Sequence, residues 1–252
     1  MDAFMRLASR LMPQSLRNSL KRWLERRYQV PSIEWSLLHL RDLGFSPRSI
    51  IDVGAFQGEW SLMAHRLFPS SSILMLEAQQ RLGPHLEAVA QSCGPKVACR
   101  IALLGAEERE GVVFHEYESA PTASSVLQDG IGSPSREVFC RMRTLDGLLR
   151  ETGMPQPDFI KLDVQGYELE VLKGAAQSLA ATQAVLMEVS LIELYRDSPL
   201  LPEVIVFMRE RGFRPYDICS LLRRPLDQAL CQVDMIFLKA DSFLFRKKEW
   251  GA

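Results

Sequence analysis

From Ser49 onward, short runs rich in β-branched and aliphatic residues alternate with helix-length segments, and this alternation constrains the chain more than any other feature. Strands that alternate with helices are joined by crossovers, which make the strands parallel and cover both faces of one sheet. The expected strands are 50–53, 73–77, 97–101, 111–117, 158–163, 183–189, 213–218 and 233–239. Helices are expected over 58–68, 81–92, 167–180 and 202–211. One α/β domain over 49–252, preceded by a helical extension over 1–48, accounts for the 252 residues.

Within the extension, Phe4, Leu7, Ala8 and Leu11, then Leu16, Leu20, Trp23 and Leu24, recur at three- and four-residue steps on either side of Pro13. That spacing predicts two short amphipathic helices, and a third is expected over 33–43, ending at Gly44. Residues 1–30 carry a local charge of +5, which leaves −6 for the rest of the chain. The mildly acidic body argues against a nucleic-acid substrate. The basic apolar stripe has two uses: packing on the body, or lying on an anionic membrane as a peripheral contact at its inner face. No apolar run reaches the roughly 18–20 residues that span a bilayer. Five cysteines without a C-x-x-C pair give neither a disulfide framework nor a zinc site, and with no secretory leader pattern the cytoplasm is the expected compartment.

Asp52-Val53-Gly54-Ala55-Phe56-Gln57-Gly58 falls where the first strand turns into the first helix, the edge at which open α/β sheets bind ligands. Gly54 and Gly58 free the backbone to turn and let a ligand approach the main chain, Asp52 is placed to meet a cationic group, and Asp52, Gly54, Ala55 and Gly58 are together expected to bind a cofactor. The glycines lack the G-x-G-x-x-G spacing of a pyrophosphate cradle, so a dinucleotide is disfavoured. Glu77, at the end of the second strand, stands about where a carboxylate reaches the ribose hydroxyls of an adenosine. Segment 118–136, rich in Ser, Pro and Gly, is expected as an irregular loop, either a lid or a surface insertion.

The stretch from Asp158 to Ala175 (DFIKLDVQGYELEVLKGA) closely resembles the strand-turn-helix signature of FkbM-family methyltransferases. The resemblance extends over about 49–239, through the glycine turn, Leu76-Glu77-Ala78, Arg143-Thr144-Leu145-Asp146, Leu186-Met187-Glu188 and Val233-Asp234-Met235-Ile236-Phe237. It implies a class I methyltransferase (Rossmann-like) three-layer sandwich, with a mostly parallel seven-stranded sheet and an antiparallel last strand. It also implies S-adenosyl-L-methionine as cofactor and methyl transfer to oxygen. The family commonly has Asn where this chain has Phe56, and an acidic residue where it has Gln165, which cannot act as a general base.

In-line transfer from a sulfonium gains most from alignment of the acceptor, and an alcohol gains further from a group that accepts its proton. Asp163, expected at the carboxyl end of the fourth strand beside Gly54, is the first candidate for that role. Glu168 and Glu188 are supporting carboxylates, and Glu168 has the alternative role of bracing a helix start. His115 is a weaker base candidate, since a lone strand histidine is more often structural. The carboxylates resemble Mg²⁺ ligands in kind, but no spacing demands a metal and none is expected. The expected acceptor is a hydroxyl on a glycan, a lipid-linked sugar or a secondary metabolite. The alternatives are an N-methyltransferase on a small-molecule amine, or a catalytically idle cofactor-binding module that recruits partners.

Overall fold

The computed structural model describes residues 30–246, together with Arg27 and Gly251. The expected helices of residues 1–26 lie outside the described residues. Helix α1 (Ile33–Asp42) begins at Ser32, whose hydroxyl accepts from the amide of Trp35. It packs on the body, with Leu37 and Leu40 fully buried and Ser36 Oγ donating to Asp217 at 2.6 Å. Among the described residues no helix is long and apolar enough to cross a membrane.

The chain continues through β1 (Ser49–Val53), α2 (Glu59–Leu67), β2 (Ser72–Glu77), α3 (Gly83–Cys93), β3 (Val97–Ile101), β4 (Leu103–Leu104), β5 (Arg109–Glu116) and β6 (Arg136–Arg143). It then forms α4 (Leu145–Thr152), β7 (Phe159–Leu162), α5 (Glu168–Lys173), α6 (Ala176–Ala181), β8 (Ala184–Ser190), α7 (Leu201–Glu210), β9 (Phe213–Arg223) and β10 (Leu230–Lys239). The main sheet has seven strands in the order β3-β2-β1-β7-β8-β10-β9. β10 runs antiparallel to both of its neighbours, while β1, β2, β3, β7 and β8 pair in parallel.

Because strand side chains alternate between faces, aligned registers sort the core into two layers. Ile50, Ile73, Phe159 and Ala184 share one face and pack against α1, α2 and α3, with Phe45 edge-on to Phe159. Ile51, Leu74, Ile160 and Val185 share the other and meet α4, α5, α6 and α7. The result is a three-layer α/β sandwich.

Three local expectations are corrected. The strand expected at 111–117 forms, but in a separate three-stranded sheet ordered β4-β6-β5, with its own small core of Leu103, Val112, Phe114 and Met142. β6 had no expected counterpart, because its alternation of apolar and polar residues is broken and Phe139 is left 73% exposed. The single helix expected over 167–180 is two helices, interrupted at Gly174. There the backbone passes so close to Gly105 that a Cβ on Gly174 would lie 2.0 Å from the Gly105 carbonyl oxygen. α6 restarts under a cap supplied from α4, since Asp146 accepts from the amides of Gln177 (2.8 Å) and Ser178 (2.9 Å).

Gly174 has φ −80°, which any residue adopts, so its requirement is for space alone. Gly174→Ala is expected to cost about 3 kcal/mol or more, at the upper end of overpacking effects, because the obstacle is backbone. A urea titration checks this, with an unchanged midpoint as the contrary result.

Candidate active site

At the carboxyl end of the sheet, a cleft opens between the glycine turn after β1, the end of β2 and the loop after β7. Val53, Gly54, Leu76, Glu77, Asp163 and Tyr167 are among its walls. The amides of Gly54 and Ala55 both donate to Leu76 O, at 2.9 and 3.0 Å, which folds the turn across β2. Gly54 has φ +74°, and a Cβ there would lie 1.9 Å from Asp163 O, so glycine is required both for the turn and for the approach of the β7 loop. Glu77 accepts from the amides of Phe56 (2.8 Å) and Gln79 (2.9 Å). Burial raises its pKa, and those backbone donors offset part of the rise.

Beneath the turn, Asp52 is fully buried and meets Lys161 Nζ at 3.0 Å, its partner across the β1–β7 register. Asp52 also accepts from Ser61 Oγ at 2.7 Å. The cationic group opposite Asp52 is therefore a side chain of this protein. Lys161 Nζ donates in addition to Gly54 O at 2.8 Å and lies 3.8 Å from Asp163 Oδ2. Burial works against the charge on Lys161, but Asp52 and then Asp163 outweigh it and hold its pKa above the ordinary value.

Among the three carboxylates expected to do chemistry, Asp163 alone faces the cleft, and its side chain is 43% exposed. Gln165 Nε2 donates to Asp163 Oδ1 at 2.7 Å. Glu168 is buried behind it and accepts from the amides of Val164 (2.9 Å) and Gly166 (3.3 Å), which braces the loop. Burial raises its pKa to about 7 against those backbone donors, and the Asp163 charge adds to the rise. Glu188, on β8, accepts from Gln165 Nε2 (3.1 Å) and Gln232 Nε2 (2.7 Å). Its pKa is raised well above the usual range, first by burial and then by the charge of Asp163.

Gly54, Glu77 and Asp163 thus come together on the cleft, whereas Asp52, Ala55, Gly58, Glu168 and Glu188 stand behind its walls. Gly58 opens α2 under Met75 and Val89. His115 lies in the small sheet, buried and 3.2 Å from Ser135 Oγ. Segment 118–136 turns back over the cleft. Thr122, Ser124 and Val126 form part of its lining, and Ser125 bridges to His115.

Sequence reasoning missed Lys161, Gln165 as a hydrogen-bonding hub, and Tyr195. A lysine inside the apolar run Phe159-Ile160-Lys161-Leu162 was a readable signal, because a charged residue in a buried strand requires a partner. Tyr195, 30 residues from Gln165 in sequence, gave none. Among the described residues no cluster of His, Cys, Asp and Glu has the geometry to hold a metal.

The strand order, with a reversed β10 inserted between β8 and β9 and a glycine turn after β1, defines a class I methyltransferase fold. The chain matches the family model of the methyltransferase FkbM domain over residues 52–215. It therefore belongs to the FkbM methyltransferase family, with S-adenosylmethionine as cofactor. A hexuronic acid methyltransferase, AglP of Haloferax volcanii, is 28% identical over 106 residues, covering 38% of this chain and 43% of that one. The AMB antimetabolite synthetase AmbE of Pseudomonas aeruginosa is 26% identical over 176 residues, covering 56% of this chain and 8% of that one. The chain spans less than half the length of either relative. The crystal structure of an FkbM methyltransferase from Methylobacillus flagellatus KT shares the fold, with a TM-score of 0.51 and 15% identity over 81% of this chain and 48% of that one.

Two outcomes follow from the buried charges. Lys161→Met leaves Asp52 buried without a counter-ion, so a loss of about 3–5 kcal/mol is expected in a denaturant titration. The second concerns pH. Glu168 binds its proton more tightly folded than unfolded, so its charge penalises the folded state as pH rises from 4.5 towards about 7. The melting temperature of Glu168→Gln relative to wild type should therefore climb across that window and level off above it. A flat difference from pH 4 to 8 would contradict the raised pKa.

Proposed function

We propose that this chain methylates a hydroxyl group of a sugar or sugar-bearing small molecule, with the cofactor held in the cleft and Asp163 accepting or orienting the hydroxyl proton. The observation that carries the reading is that Asp163 is the carboxylate of the cluster that reaches the cleft and stays partly exposed. The hexuronic acid methyltransferase relative supports a sugar acceptor.

The cleft residues suit the cofactor. Val53, Leu76, Leu103 and Phe114 offer apolar walls to a purine, and the Glu77 carboxylate offers acceptors to ribose hydroxyls. Gly54 and Asp163 line the part of the cleft left for the amino-acid end. When bound, S-adenosylmethionine supplies a methyl group on a sulfonium, open to in-line attack. The protein's part is alignment and proton management. Asp163 holds the acceptor hydroxyl by a hydrogen bond and takes up its proton as the new bond forms. Lys161 balances Asp163 electrostatically without neutralising it, because at 3.8 Å it lies beyond hydrogen-bonding distance. The 121–126 segment excludes water from the reacting atoms.

Incubation with methyl-labelled S-adenosylmethionine and a panel of neutral sugars, hexuronate glycosides and amine counterparts tests the reaction class. Mass spectrometry should find one methyl added at a hydroxyl, and labelling confined to amines would replace this reading with N-methylation. On the same acceptor, Asp163→Asn should lower the single-turnover rate by about 10²-fold or more. Affinity for S-adenosylhomocysteine and melting temperature should stay near wild type. A folded variant that methylates at nearly the wild-type rate would remove Asp163 from the chemistry and leave alignment as the main source of rate.

A further inference from the structure

Gln165 sits at the centre of the hydrogen-bond network around Asp163, in a conformation that needs explanation. Its φ is +57°, a left-handed backbone that a non-glycine residue adopts at a cost and that persists where the surroundings enforce it. Both ends of its side-chain amide and its backbone carbonyl are hydrogen-bonded. Its amide nitrogen donates to Asp163 Oδ1 at 2.7 Å and to Glu188 Oε2 at 3.1 Å. Its amide oxygen accepts from Tyr195 Oη at 2.9 Å, and its backbone carbonyl accepts from Ser125 Oγ at 2.8 Å. The partners settle the orientation of the amide, since two carboxylates call for its donor end and the phenol of Tyr195 donates to its acceptor end.

Two of these bonds lead to the segment that roofs the cleft. Ser125 belongs to it, and Tyr195 Oη also lies 2.9 Å from Ala123 O. A phenol carries one proton, so Tyr195 donates to Ala123 or to Gln165 at any moment, and its choice affects both. The roof residues Thr122, Ser124 and Val126 line the same cleft as Asp163.

We propose that Gln165 is a positioning residue of the methyl-transfer site: its amide nitrogen fixes the Asp163 carboxylate, and its amide oxygen, through Tyr195, ties that carboxylate to the roof segment 121–127. Placement of Asp163 and closure of the roof are then linked. The role rests on the reading of the cleft as the transfer site. A glutamate at this position would lack the donor that Asp163 uses and would add a third carboxylate beside two others.

The test uses ligand-free, full-length protein, so it depends on neither cofactor nor acceptor. Gln165→Leu keeps the approximate bulk and removes every side-chain bond, while Tyr195→Phe removes a single hydroxyl and serves if the first variant folds poorly. Hydrogen exchange is followed on peptides covering 121–127, and the carboxyl carbon resonance of Asp163, assigned with Asp163→Asn, is followed by NMR. Each variant is expected to speed exchange of the roof about tenfold, with peptides of β2 and α3 unchanged. Tyr195→Phe is also expected to shift the Asp163 resonance, although no hydrogen bond joins the two residues, and a purely structural tyrosine would leave that resonance in place. The double variant should be no worse than the worse single one, because both act through one chain of bonds. An Asp163 resonance unmoved in Tyr195→Phe, or roof exchange unchanged in both variants, would overturn the proposal. A separate titration of wild type with S-adenosylhomocysteine tests the cleft itself, and its failure would count against that reading and not against the linkage.

Discussion

A buried ammonium needs compensation, and the site is arranged around the way Lys161 obtains it. Removing a lysine from water costs several kcal/mol, a loss recovered only with good geometry and further hydrogen bonds. Asp52 supplies the counter-charge at 3.0 Å and Gly54 O a hydrogen bond at 2.8 Å. Because Asp52 and Lys161 are register partners on adjacent parallel strands, the pair joins β1 to β7 at the edge where the glycine turn and the Asp163 loop emerge. The turn is thus held from below by Lys161 and from the side by Leu76.

The same commitment shapes the electrostatic surroundings of Asp163. Lys161 has spent its short contacts on Asp52 and the turn, so at 3.8 Å it stabilises Asp163 by charge alone. Behind Asp163 lie Glu168, Glu188 and Asp234, and burial raises the pKa of each. Glu188 and Asp234 face each other across the β8–β10 register, an arrangement that is unfavourable when both are charged. Neutral donors relieve the crowding without adding charge: Gln165 and Gln232 on Glu188, and Ser220 on Asp234. Asp163, partly exposed, is the member of the group that retains contact with the cleft.

The main sheet was legible because its signals are local. Aliphatic runs of four to seven residues, separated by helix-length segments, specify parallel strands whatever the distant context, and the glycines at 54 and 58 mark the turn. The β4-β6-β5 sheet was not, since β6 owes its pairing to β5 across a long intervening segment and is weakly patterned itself. Within the site, Gly54, Glu77 and Asp163 were readable from their places at strand ends. Lys161 left a local trace, a charge inside an apolar strand, but its partner Asp52 lies 109 positions earlier in the chain, and the bonds that join Gln165 to Glu188 and Tyr195 likewise connect residues that no spacing along one strand or helix relates.

The two departures from the family pattern, Phe56 and Gln165, have a common physical property. Both are non-glycine residues with left-handed backbones, at φ +47° and +57°, in the loops that form the cleft. Asparagine, common in the family at the first position, tolerates that conformation because its short polar side chain bonds locally, whereas phenylalanine does not share this ease. The strain at Phe56 is offset by what its atoms do: its amide donates to Glu77 at 2.8 Å, and its ring packs on the core while lining the cleft. At Gln165 the compensation is polar, through bonds to Asp163, Glu188 and Tyr195. Strained positions of this kind persist where neighbouring contacts over-determine them. Here those contacts are with Glu77 and Asp163, the two carboxylates that reach the cleft.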